Sequence, residues 1–129
     1  DYGFLKHGTL VPRPNYFAVL LSNRIMGTTA FDASEVADGA RIYAHSRKDG
    51  KEGVAYLVVN NTNEAMTFEL PKEADVYVLA GETGLRSRKM TLNGNVLELG
   101  EGDVLPELAP VKATEKVEIA ATNCAFIVL

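Results

Sequence analysis

Tyr16 and Leu20, and again Phe17, Leu21 and Ile25, recur at four-residue spacing, with Val19 and Met26 flanking them. That spacing draws one apolar stripe along a helix. Pro12-Arg13-Pro14-Asn15 precedes the stripe, and proline suits a lead-in and first turn because it lacks an N–H and fixes φ. A helix is predicted over residues 14–26, with Gly27 placed to end it as a C′ glycine. After Thr29 the period shortens, and residues 31–40, which carry Asp32, Ser34, Glu35, Asp38 and Gly39, read as a connection. In residues 40–46, Arg41, Tyr43 and His45 alternate with Ile42 and Ala44, as on a strand with two unlike faces. Lys48-Asp49-Gly50-Lys51 is a turn, and residues 54–59 are almost wholly apolar, as in a strand buried on both faces. Asn60-Asn61-Thr62-Asn63 is the next turn. Met66, Phe68 and Leu70 alternate with Thr67 and Glu69 up to Pro71, and residues 74–80 make a further strand.

Asn93-Gly94 between two apolar runs is a hairpin signal, since both central turn residues need positive φ. Pro106 and Pro110 make residues 104–110 an irregular crossing, and residues 116–119 and 124–129 are the closing strands. About seven short strands at intervals of roughly 8–12 residues, with no helices alternating between them, predict a mainly β fold, an antiparallel β-sandwich preceded by one α-helix. A sandwich does not need that helix, and one explanation is that the helix belongs to a preceding domain and the sandwich packs beside it.

Composition narrows the class. The chain has 129 residues, 47% hydrophobic and 23% charged, which is ordinary for one folded domain. A single cysteine, Cys124, allows no internal disulfide. The net charge of −4 argues against a dedicated nucleic-acid binder. No apolar run approaches the ~18 residues of a membrane span. The chain opens on Asp1-Tyr2-Gly3-Phe4, without an initiator Met or a basic leader, and is expected to be the tail of something longer.

Candidate chemistry is sparse. Glu69, Glu73, Asp75, Glu98, Glu101, Asp103 and Glu118 fall in turns or on outward strand positions, and read as a solvated face rather than a catalytic pair. His7 and His45 lie far apart and show no metal-ligand spacing. No metal or other cofactor is expected. Cys124 reads as a core cysteine, with no acid–base partner near it in sequence. Arg86, Arg88 and Lys89, and Arg47, Lys48 and Lys51, are basic clusters that suit a charged strand edge or an acidic polysaccharide. Asn60-Asn61-Thr62 fits both a glycosylation acceptor and a tight turn. Tyr43, Tyr56 and Tyr77 sit mid-strand and read as packing residues rather than a sugar-stacking platform. Two functional classes stay open on the residues alone: a supporting domain and an independent carbohydrate- or protein-binding module.

The order and spacing of several landmarks resemble the C-terminal region of heparanase and its β-glucuronidase relatives, glycoside hydrolase family 79. These landmarks are Tyr2, Pro12-Arg13-Pro14-Asn15-Tyr16, Leu20-Leu21, Met26-Gly27-Thr28 and Arg41-Ile42-Tyr43-Ala44-His45. Further along come Leu85-Arg86-Ser87, Leu92-Asn93-Gly94, Leu105-Pro106-Glu107-Leu108, Ile119-Ala120-Ala121 and Phe126-Ile127-Val128. The resemblance implies a two-domain retaining glycosidase. Residues 1–29 would be the last strand end and final helix of a (β/α)8 barrel, and residues 30–129 the C-terminal β-sandwich. Both catalytic glutamates would lie in the barrel, upstream, so no catalytic residue is expected in this chain. Tyr2 would sit at the substrate pocket, where barrel active sites form at the C-terminal ends of the strands. The implied partners are the barrel and a glucuronic-acid-containing or related glycan, and the implied setting is secreted, periplasmic or lysosomal. Ser46 stands where the family can carry a cysteine, and Asp1 where heparanase has asparagine. The apolar face of the helix is expected to be exposed, or to pack on the sandwich. The sandwich itself is expected to lack a strand that the family takes from its N-terminal segment.

Overall fold

A computed structural model describes residues 3–33 and 39–129. Tyr2, the one substrate-binding candidate, and part of the connection after Phe31 lie outside the described residues. The helix α1 spans Pro14–Ile25, one residue shorter than expected. Ten short strands follow among the described residues: β1 Met26–Phe31, β2 Ala40–Arg47, β3 Ala55–Asn60, β4 Met66–Glu69 and β5 Ala74–Gly81. The remainder are β6 Met90–Leu92, β7 Asn95–Val96, β8 Val111–Ala113, β9 Lys116–Ile119 and β10 Cys124–Val128. The main sheet is antiparallel with the order β1-β2-β3-β10-β5-β6-β7, and β8 also pairs with β5. β4 and β9 form a separate two-stranded ribbon.

Register assigns the faces. Tyr43, Leu57, Phe126 and Tyr77 stand side by side across β2, β3, β10 and β5. Ala44, Tyr56, Ile127 and Val76 make the neighbouring row, which points to the other face. α1 covers the first face, where Phe17, Leu21 and Ile25 are buried with Leu79, Leu92, Leu97 and Phe126. The β4–β9 ribbon covers the second, where Val117 and Ile119 are buried with Val58, Val76, Ala125 and Ile127. β10 serves both cores, so three consecutive residues, Ala125, Phe126 and Ile127, are all buried. The helix's apolar stripe therefore packs on the sheet through Phe17, Leu21 and Ile25, while Tyr16 and Leu20 are only half-buried and Val19 is exposed.

Two local expectations are corrected. Gly27 does not end α1 in a left-handed turn. Met26 takes the cap, its N–H bonded to the Ser22 carbonyl, and the chain runs straight into β1. Gly27 is needed for close approach instead, because a Cβ there would lie 2.3 Å from Ser46 Oγ. The strands β1 and β8 were not foreseen either. The expected Asn93-Gly94 hairpin is present, with φ of 47° and 84° at its two central residues. Asn93 has a second task. β5 pairs with β8 through Ala74–Val76 and with β6 through Leu79–Gly81, which leaves a gap between the two partners. The Asn93 side chain fills that gap, accepting from Val78 N–H (2.9 Å) and donating to the Val76 carbonyl (3.0 Å).

Candidate functional site

Residues 4–13 fold back on themselves before α1. The Arg13 N–H donates to the Phe4 carbonyl (2.8 Å), the Lys6 N–H donates to the Val11 carbonyl (2.9 Å), and Leu5 bridges Pro12. Arg13 then caps α1 in an extended conformation, without a side-chain cap bond. Between this segment and the β6–β7 side of the sheet lies a cleft of about 390 Å³. Phe17, Met90 and Leu97 form its apolar floor, and Arg13, Arg88, Lys89, Glu98 and Asp103 line its rim. Lys89 and Glu98 pair across the rim, and that hydrogen bond raises the lysine's pKa. On the far side of Pro14 a second hollow, about 230 Å³, runs under Leu85 to Cys124.

The other carboxylates singled out in the sequence are solvated. Glu69, Glu101, Asp103 and Glu118 are exposed. Glu73 and Asp75 share the Lys112 ammonium at 3.4 Å and 2.7 Å on the open surface of β5 and β8. Retaining glycosidases need two carboxyl groups about 5–5.5 Å apart flanking a sugar. Glu73 and Asp75 instead hold a lysine between them.

His7 is exposed, and His45 Nδ1 lies 2.8 Å from the Gly27 carbonyl, tying β1 to β2. Among the described residues, no three His, Cys, Asp or Glu side chains are placed to hold a metal ion. Burial pushes the Cys124 thiol up to about 11, which keeps it a protonated core residue at neutral pH. Tyr56 packs against Phe68 on the ribbon face, ring centroids 5.3 Å apart. Tyr77 is partly covered beside α1, and burial raises its pKa. Tyr43 alone is half exposed, so the three tyrosines share no platform. Arg47 is held by Asp49 in a two-pronged pair (3.1 Å and 2.6 Å), which lowers the Asp49 pKa. Asn60 is buried, and its Nδ2 donates to the carbonyls of Glu64 (2.7 Å), Ile119 (2.9 Å) and Ala120 (3.1 Å). The nitrogen that a glycan would occupy is therefore enclosed and bonded. Sequence reasoning did not join residues 10–17 to residues 88–103. Arg13 was read only as part of the helix lead-in, and Arg88 and Lys89 only as a basic cluster.

No protein-family profile matches the chain. Across 98% of its residues it is 31% identical to a baicalin-β-D-glucuronidase of Scutellaria baicalensis. Across 99% it is 30% identical to a hyaluronoglucuronidase of Hirudo nipponia, and across 75% it is 33% identical to a heparanase of Gallus gallus. Its relatives are the heparanase and β-glucuronidase-like glycoside hydrolases. The chain spans 26%, 29% and 21% of the lengths of these three relatives, so it corresponds to a minor part of each.

Proposed function

We propose that the chain is the C-terminal, non-catalytic portion of a retaining glycoside hydrolase of the heparanase and β-glucuronidase kind. In this reading, residues 1–29 close a (β/α)8 barrel, residues 30–129 form a β-sandwich that buttresses it, and Tyr2 stands at the rim of the barrel's pocket. The substrate is a glucuronic-acid-containing or related glycan, and the enzyme works in a secreted, periplasmic or lysosomal setting. The observation that carries the reading is the match of nearly the whole chain to about a quarter of each glucuronidase relative. One structural feature supports it. The second layer has only β4 and β9, and neither has a further partner among the described residues, which leaves room for a strand from elsewhere in the polypeptide.

The test compares the 129-residue chain with the polypeptide completed upstream, both assayed on an aryl glucuronide. Turnover is expected from the completed polypeptide alone. Turnover by the 129-residue chain would refute the non-catalytic role, and its absence from the completed polypeptide would refute the glucuronidase assignment.

A further inference from the structure

Of the eight asparagines in the chain, Asn93 alone is followed by glycine. That pair carries a chemistry of its own. Gly94 has no Cβ to crowd its nitrogen. Once deprotonated, that nitrogen can attack Asn93 Cγ, closing a five-membered succinimide ring and expelling ammonia. Water then opens the ring at either carbonyl. Opening at one leaves an ordinary aspartate. Opening at the other leaves isoaspartate, with the main chain routed through the former side chain. The net change is one water consumed and one ammonia released, with nothing oxidised or reduced.

The fold opposes the first step. The Asn93 N–H donates to the Val78 carbonyl (2.9 Å), and its Oδ1 accepts from the Val78 N–H (2.9 Å). Its Nδ2 donates to the carbonyls of Val76 (3.0 Å) and Ala109 (3.4 Å). The Asn93 amide is thus held on β5 and on the crossing segment. To bring Cγ to the Gly94 nitrogen it must turn back on its own chain and give up these bonds. Gly94 itself is exposed, and a Cβ placed on it would meet nothing within 4 Å, so water and base reach the turn freely. Only the asparagine side chain is guarded.

We infer that Asn93 is a self-modification site: it deamidates through Gly94 when the β6–β7 hairpin lifts off β5, and the sheet cannot take the product back. An aspartate still accepts from the Val78 N–H, but it has no hydrogen for the Val76 carbonyl and sets a negative charge beside it. An isoaspartate lengthens the main chain of a two-residue turn, which spoils the pairing of Thr91 with Val96 and Leu92 with Asn95. Either product leaves the gap beside β5 unfilled. Where opening and closing are fast compared with ring closure, the rate follows the population of the open hairpin. The modified fraction therefore records how long the hairpin has stood open. The inference is independent of the glycosidase reading.

Timed incubation of the 129-residue chain at pH 8, folded and in urea, tests it. Trypsin cutting after Lys89 and Lys112 releases a peptide with Asn93 and Asn95, and mass spectrometry follows the replacement of an amide NH2 by OH. Conversion at Asn93 is expected to be about ten-fold or more faster in urea than in the folded chain, and to give both aspartate and isoaspartate. Equal rates in the two states would overturn the inference, as would another asparagine converting ahead of Asn93 in urea. Gly94→Ala is expected to slow conversion in urea several-fold, and an unchanged rate would rule out attack by the Gly94 nitrogen. Asn93→Asp reproduces one product directly. Its urea midpoint is expected to fall by roughly 1 M, and a midpoint equal to wild type would show that the sheet accepts the product after all.

Discussion

Replacing Asn60 tests the most enclosed polar group described here. Its amide supplies two N–H groups to three carbonyls, and its Oδ1 accepts from the Thr62 N–H (3.1 Å) and hydroxyl (2.6 Å). In Asn60→Ala, water can reach Glu64 and Thr62, which lie in the exposed turn, but the Ile119 carbonyl sits in a buried bond and loses its donor. A buried group left unsatisfied costs about 1–3 kcal/mol, and each ordinary bond lost adds about 0.5–1.5 kcal/mol. Together these give a loss of about 2–4 kcal/mol, a large share of a typical domain's stability of about 5–15 kcal/mol. With a urea m-value of about 2 kcal/mol/M, the middle of the usual range, the midpoint falls by roughly 1–2 M. Asn60→Asp is expected to be worse than alanine, because a carboxylate cannot donate to Ile119 and brings a charge into a buried site. Asn61→Ala, on an exposed neighbour, is expected to stay within about 0.5 kcal/mol of wild type. A loss below 1 kcal/mol in Asn60→Ala, or an aspartate tolerated as well as the alanine, would refute the donor role argued for this residue.

Asn93 and Cys124 give two further tests. Asn93→Ala removes both the bonds that fill the gap beside β5 and a residue tolerant of positive φ, so about 2–3 kcal/mol is expected to be lost. Urea unfolding checks it, and Asn93→Gly, which keeps only the backbone tolerance, is expected to recover part of the loss. Cys124, with its thiol pushed up to about 11 by burial, is expected to resist iodoacetamide at pH 8 in the folded chain and to react promptly in urea. Labelling in the folded state as fast as for a free thiol would contradict that burial.

Much of the fold could be read from the sequence where a local rule had no competitor. The stripe of Phe17, Leu21 and Ile25 fixed α1, Asn93-Gly94 fixed the hairpin, and the apolar runs fixed β3 and β10. Gly27 misled because two physical uses of glycine look alike in a sequence, a left-handed cap and a close backbone approach, and the distant Ser46 decided between them. β1 was missed because Thr28, Thr29 and Ala30 carry no alternating pattern, and an edge strand interrupted by a register shift needs none. β8 has three residues directly after a proline-bounded crossing, too few to show a period. The cleft was hardly legible, since its two walls are far apart in the sequence and meet only through packing on Phe17. The family resemblance, by contrast, was carried by many short motifs in order, which survive at 30–33% identity even where each alone is weak.

The central place of β10 has a consequence for how the chain is made. β10 is the latest of the strands to leave the ribosome, yet it lies between β3 and β5 and contributes to both cores. Until it emerges, β3 and β5 each present an open edge to any neighbouring chain, the condition under which strands pair wrongly. A nascent polypeptide of this kind gains little from folding vectorially. Its sheet closes only after β10 has emerged, through contacts distant in sequence and therefore slow to form.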